Sequence, residues 1–148
     1  MTNQRTHEAF QRLSDILDTL RKECPWDRKQ TMESLRYLTI EETYELSEAI
    51  LTRDENDDLR KELGDLFMHL MFYAKIAEEE GRFELADVLE GISAKLVARH
   101  PFIYDKENYD GEGWEQIKMH EGRKSVLEGV PASLPPLVKA VRMQEKAA

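Results

Sequence analysis

The residues best suited to chemistry are five carboxylates: Glu41, Glu42 and Glu45, then a sixteen-residue interval, then Glu62 and Asp65. Acids spaced three apart on a helix stand one above the other, about 5–6 Å apart at Cβ. Oxygen-only donors in that arrangement suit Mg²⁺, with Mn²⁺ as the alternative. From Glu41 to Asp65 there are ten acids and three bases, so this window carries -7 of the chain's formal charge of -9. An acidic helical stretch is ordinarily a solvated face, and helix geometry tests that reading.

At about 100° per residue, Glu42 and Glu45 are separated by roughly 60°. They share an arc with Leu35, Leu38, Leu46 and Ala49. Glu62 falls among Leu59, Leu66, Leu70, Tyr73, Ile76 and Ala77, and Asp65 lies beside Phe72 and Ile76. Glu41 and Glu48 sit at the margin. Four acids on two core-facing surfaces repel and resist desolvation unless a cation joins them. Antiparallel packing of the two helices then closes a four-carboxylate ring around a divalent metal. A di-iron bundle would need Glu-x-x-His pairs, and here Glu45 and Asp65 occupy those third positions. His69, one turn beyond Asp65, reads as a core or supporting residue. Counted from Asp105, the loop Asp105–Gly111 fails as an EF-hand, because Tyr109 stands at the fifth position, where an Asp or Asn belongs.

These acids need helices to position them, and proline and glycine punctuate a helical text. Residues 4–22 carry Phe10, Leu13, Ile16, Leu17 and Leu20 at helical spacing and stop before Cys24-Pro25-Trp26. Thr31 caps a second helix running to about Leu51. Asp54 or Asn56 caps a third, which reaches Gly81. A fourth spans roughly 84–98, residues 101–113 form a loop, and Trp114 to about Ser125 forms a short helix. Gly129, Pro131, Pro135 and Pro136 mark a linker before a terminal helix over 137–146. No alternating strand pattern exists, so the fold class is all-α, a bundle of five to six helices.

The bulk properties agree with a single soluble domain. The chain has 148 residues, 41% hydrophobic and 34% charged. So acidic a balance excludes general binding to nucleic acid or anionic membranes. No apolar run reaches the ~20 residues of a membrane span, and the polar N-terminus has no signal-peptide core. The lone Cys24 fits a reducing cytoplasm and reads as a small, half-buried side chain beside Pro25.

Written in order, Glu41-Glu42-Thr43-Tyr44-Glu45 and Glu62-Leu63-Gly64-Asp65 resemble the EExxE…ExxD signature of the MazG nucleoside triphosphate pyrophosphohydrolases. Cys24-Pro25-Trp26-Asp27 with Gln30-Thr31, Glu78 to Phe83, Lys95 to Pro101 and Trp114 to Lys118 extend the resemblance over nearly the whole chain. It is similar to the first of the two units of long MazG proteins, or to a short form. Residues 1–128 correspond to the hydrolase domain and 129–148 to a linker and terminal helix.

The resemblance implies an intertwined all-α homodimer that hydrolyses an NTP or dNTP to the monophosphate and pyrophosphate with Mg²⁺, in the cytoplasm. It implies that Glu42, Glu45, Glu62 and Asp65 hold metal. Glu41 is the accessory acid, and Glu41 or Glu45 is the candidate general base. Lys95 and Arg99, and Trp114 and Lys118, are i, i+4 pairs matching nucleotide-contacting positions of the family; Trp26 is a candidate for base stacking or for a hydrophobic staple. The alternative is a nucleotide- and metal-binding dimerisation module with little turnover, part of a longer MazG protein.

Overall fold

The computed structural model describes residues 3–52, 57–122, 125 and 127–147, without the side chains of Asp57, Trp114, Glu115 and Lys118. Asp54 and Asn56, the expected caps of the third helix, lie outside the described residues. The elements are α1 (Gln4–Glu23), a 3₁₀ turn (Asp27–Lys29), α2 (Met32–Thr52), α3 (Asp57–Glu79), α4 (Leu85–Ala98), α5 (Pro101–Tyr104), α6 (Trp114–Met119) and α7 (Pro136–Ala147). The described residues contain no strand. The chain divides into two compact units, Met1–Leu89 and Glu90–Ala148.

Local chemistry sets the helix ends. Asn3 caps α1 by accepting from the Arg5 amide at 3.1 Å. The Cys24 amide still bonds Leu20, after which Pro25 ends the run. At the start of α2, Thr31 and Ser34 cap each other: the Ser34 amide donates to Thr31 Oγ1 at 3.1 Å, and the Thr31 amide to Ser34 Oγ at 2.9 Å. Gly81, at φ 67°, closes α3 with the Arg82 amide on Ala77 and the Gly81 amide on Glu78. That paired geometry is a Schellman stop, and it ends the helix proper at Glu79 rather than at the glycine.

In the first unit, Leu17, Leu35, Met71, Phe72 and Ile76 form the buried core, flanked by Phe10, Leu13, Met32, Leu38, Met68, Tyr73 and Leu85. Arg21 ties the turn before α2 to the end of α3. Its guanidinium grips both Glu79 oxygens, donates to the carbonyls of Asp27 and Gln30, and lies 5.6 Å from the Phe72 ring centre.

The second unit departs from expectation in two places. Pro101 opens a one-turn helix inside the expected loop, its fixed φ being suited to a first helical position. The helix from Trp114 ends at Met119, not near Ser125, because the chain turns through Gly122 at φ 86°.

Candidate metal-binding and nucleotide site

α2 and α3 run antiparallel, and their facing residues descend in register. Thr39 meets His69, Glu42 lies with Asp65 and Glu62, and Glu45 is near enough to Glu62 to act on its charge. Carboxylate oxygens of Glu42, Glu62 and Asp65 come within 4.8 Å of one another, a spacing that one divalent ion can bridge. Glu45 adjoins this group through Glu62. The helices therefore bring together three of the four acids expected as metal ligands, Glu42, Glu62 and Asp65, with Glu45 outside that group.

Their burial differs from the expectation that all four face inward. Glu42 and Glu62 are half-buried, whereas Glu45 and Asp65 are exposed, as is Glu41. Leu70, assigned by helix arithmetic to the same covered arc as Glu62, is 56% exposed. The apolar residues of α1 pack with Met68, Met71, Phe72 and Ile76 of α3, all C-terminal to the acids. A helical arc shows what lies on one face; it does not show how far along that face a neighbour extends.

The electrostatics are those of an uncompensated anionic cluster. Burial, then the charges of Glu45, Asp65 and Glu41, holds the Glu42 carboxyl above its ordinary value of 4.5. Glu62 is raised likewise by burial and by Glu45, Asp65 and Glu42. No cation enters either balance. Glu62 Oε2 is moreover buried without a hydrogen-bond partner. A buried carboxylate oxygen needs a donor or a cation, so this donor set fits a hard divalent ion.

One turn below the acids stands a polar rung whose full extent the sequence did not reveal. Thr39 Oγ1 lies 2.8 Å from His69 Nδ1, 2.6 Å from Tyr73 Oη and 3.1 Å from the Leu35 carbonyl. His69 is 7% exposed, and burial lowers its pKa against an opposing pull from Asp65. The traceable signal was spacing: Thr39 precedes Glu42 by three, and Asp65, His69 and Tyr73 follow one another at intervals of four.

The expected nucleotide contacts belong to the second unit. Lys95 is exposed on α4. Arg99, just past that helix, is 9% exposed and grips Glu121 through Nε–Oε1 at 2.6 Å and a parallel Nη2–Oε2 bond. Glu121 had no assigned part in the sequence reading; Arg99 and Glu121 are too far apart in the chain for helical spacing to pair them. The backbones of Trp114 and Lys118 lie in α6, and their side chains are outside the described residues. Trp26 is 55% exposed, beside the 3₁₀ turn.

Residues 30–104, half of the chain, match the MazG nucleotide pyrophosphohydrolase domain, and the matched span contains every acid of the cluster. The chain belongs to the MazG family. A nucleoside triphosphate pyrophosphohydrolase of Escherichia coli (strain K12) is 42% identical over 149 residues, covering 93% of this chain and 56% of that protein. The nucleoside triphosphate pyrophosphohydrolase/pyrophosphatase MazG of Thermotoga maritima is 43% identical over 145 residues, with the same two coverages. The chain thus spans little more than half the length of these MazG relatives. The crystal structure of a mazG-related protein from Thermotoga maritima superposes with a TM-score of 0.63 at 26% identity, covering 76% of this chain and 99% of that one. The all-α fold is the fold of this MazG neighbour.

Proposed function

We propose that this MazG chain hydrolyses nucleoside triphosphates, ribo or deoxy, to the monophosphate and pyrophosphate. Glu42, Glu45, Glu62 and Asp65 would hold Mg²⁺, or Mn²⁺ in its place. The observation carrying this reading is the convergence of Glu42, Glu62 and Asp65 oxygens within 4.8 Å around a buried, unpartnered Glu62 oxygen. The names of the MazG relatives supply the reaction class.

When bound, the metal supplies charge neutralisation at the phosphates and acidifies a water molecule. Around it, the chain's own groups have defined tasks. Glu41 or Glu45 accepts the proton of the water attacking the α-phosphorus. Lys95 and Lys118 bind phosphate oxygens and offset charge as pyrophosphate departs, and Trp114 contacts the nucleotide; Arg99, expected to join them, is buried and paired with Glu121. Residues 1–128 form the hydrolase domain, followed by a linker and terminal helix over 129–148. The setting is cytoplasmic, consistent with one unpaired cysteine; among the described residues no helix is long and apolar enough to cross a membrane.

The active form is a homodimer. Leu63, Phe67 and Leu70 make a stripe at i, i+4, i+7 on α3, between 43% and 56% exposed, and Ile40 and Tyr44 add a second on α2. Exposed apolar stripes of this kind favour a partner surface, and a second copy would also enclose the triphosphate. Light scattering should give twice the chain mass, and a strict monomer would remove this part. Pyrophosphate release from a panel of ribo, deoxy and modified triphosphates tests the activity. Release that needs Mg²⁺ supports it; absence of release across the panel rejects it.

A further inference from the structure

The acids are held by two helices whose relative register must be fixed to a fraction of a turn. Apolar contacts alone fix register loosely, because side chains of similar size can slide past one another. A buried polar contact across the interface pins it, because slippage would strand its donors without partners.

Thr39 makes a partly buried contact of this kind, with the buried His69 and the half-buried Tyr73. Its hydroxyl has one proton and two acceptor lone pairs, and it meets three neighbours: the Leu35 carbonyl on its own helix, and His69 Nδ1 and Tyr73 Oη on α3. The carbonyl can only accept. The assignment that satisfies all three at once has Thr39 donating to Leu35, while His69 Nδ1–H and the Tyr73 hydroxyl donate to Thr39. This leaves the Thr39 oxygen saturated. Burial disfavours the charged form of His69, and the neutral tautomer with its proton on Nδ1 fits that arrangement.

The position of this rung gives it a role. Glu42 follows Thr39 by three residues, and Asp65 precedes His69 by four, so the rung lies one helical turn from the acid cluster on both helices. A shift of α2 along α3 would break the Thr39 bonds and change the separation of Glu42 from Glu62 and Asp65 together.

We propose that Thr39 is a positioning residue for the metal-binding carboxylates, its bridge to His69 and Tyr73 locking the α2–α3 register at which Glu42, Glu62 and Asp65 converge. This rests on the metal-site reading above and adds a function for a group that touches neither metal nor nucleotide.

The test is titration of the full chain with Mn²⁺ alone, followed by turnover as a function of Mn²⁺. Wild type should bind Mn²⁺ and Glu62→Gln should bind it far more weakly. Thr39→Val should weaken Mn²⁺ binding by about tenfold or more, the scale on which supporting groups act on metal ligands. Its turnover should recover at saturating Mn²⁺, so that the half-saturating metal concentration moves and kcat does not. Thr39→Ser, which keeps the hydroxyl, should restore wild-type affinity. Tyr73→Phe, which removes one donor and keeps the ring, should weaken Mn²⁺ in the same direction and decides the matter if Thr39→Val does not fold. Wild-type Mn²⁺ affinity in the folded Thr39→Val or Tyr73→Phe chain overturns the positioning role while leaving the metal site intact. A wild-type chain that binds no Mn²⁺, or a Glu62→Gln chain that binds it equally well, overturns the metal site and this role with it.

Discussion

Replacing Glu62 by Gln separates a metal-binding carboxylate from a structural one. In the ion-free chain Glu62 is raised by burial and by three neighbouring acids, and one of its oxygens has no donor. The substitution would remove one charge from a group whose oxygens lie within 4.8 Å of one another and would bring an amide donor to it. The remaining Glu42–Asp65 repulsion, at that separation and fully screened by water, is about 0.9 kcal/mol. The ion-free variant should therefore melt no lower than wild type. With metal the order reverses. At a concentration one hundred times its Kd, a ligand binding only the folded state adds about 2.7 kcal/mol, which raises the Tm of a chain this size by about 5 to 11 °C. A variant that binds about a hundredfold more weakly would gain about 0.4 kcal/mol at the same concentration, or about 1 to 2 °C. Thermal melts with and without Mn²⁺ measure both quantities. A Glu62→Gln chain that loses stability without metal, or keeps the wild-type metal response, would refute the reasoning.

Three further outcomes follow from the same geometry. The raised native pKa values of Glu42 and Glu62 mean that the folded chain binds more protons than the unfolded one above pH 4.5. Their contribution to stability is full below that pH and falls as pH rises through the higher native values. The stability difference between wild type and a Glu42→Gln/Glu62→Gln double variant should widen accordingly in metal-free melts, and saturating Mg²⁺ should suppress the trend because the ion displaces those protons. Thr39→Val leaves His69 and Tyr73 without their shared acceptor and should cost about 1–3 kcal/mol in urea unfolding; an unchanged midpoint would show that water replaces the bond. Gly81→Ala forces a side chain into the φ 67° stop of α3 and should cost about 1–2 kcal/mol in the same urea measurement, with nothing within 4 Å to add a clash.

Much of the site was legible because its determinants are local. The i, i+3 pairs Glu42/Glu45 and Glu62/Asp65 set the acids on helix faces, and the Thr31 cap and Gly81 stop are decided within a turn of chain. The extent of cover over the acids was not legible, since it depends on where α1 packs along α3; exposed Asp65 and Leu70 record that. The Thr39–His69–Tyr73 bridge joins residues 30 and 34 positions apart and depends on the register of two helices. The Arg99–Glu121 pair, 22 positions apart, joins α4's end to the turn after α6 and is equally invisible to helical spacing. In each case the unread part was a tertiary relation between well-read pieces.

The proposed reaction is attack on the α-phosphorus by a water, with the acid cluster as the group that would hold the activating metal. It is tested most directly by turnover of a triphosphate in water labelled with a heavy oxygen isotope, with Mg²⁺ present, followed by mass analysis of both products. The label should appear in the monophosphate and not in pyrophosphate, and Asp65→Asn should abolish its incorporation. Label in pyrophosphate, a diphosphate with inorganic phosphate as products, or equal turnover by Asp65→Asn would contradict the account.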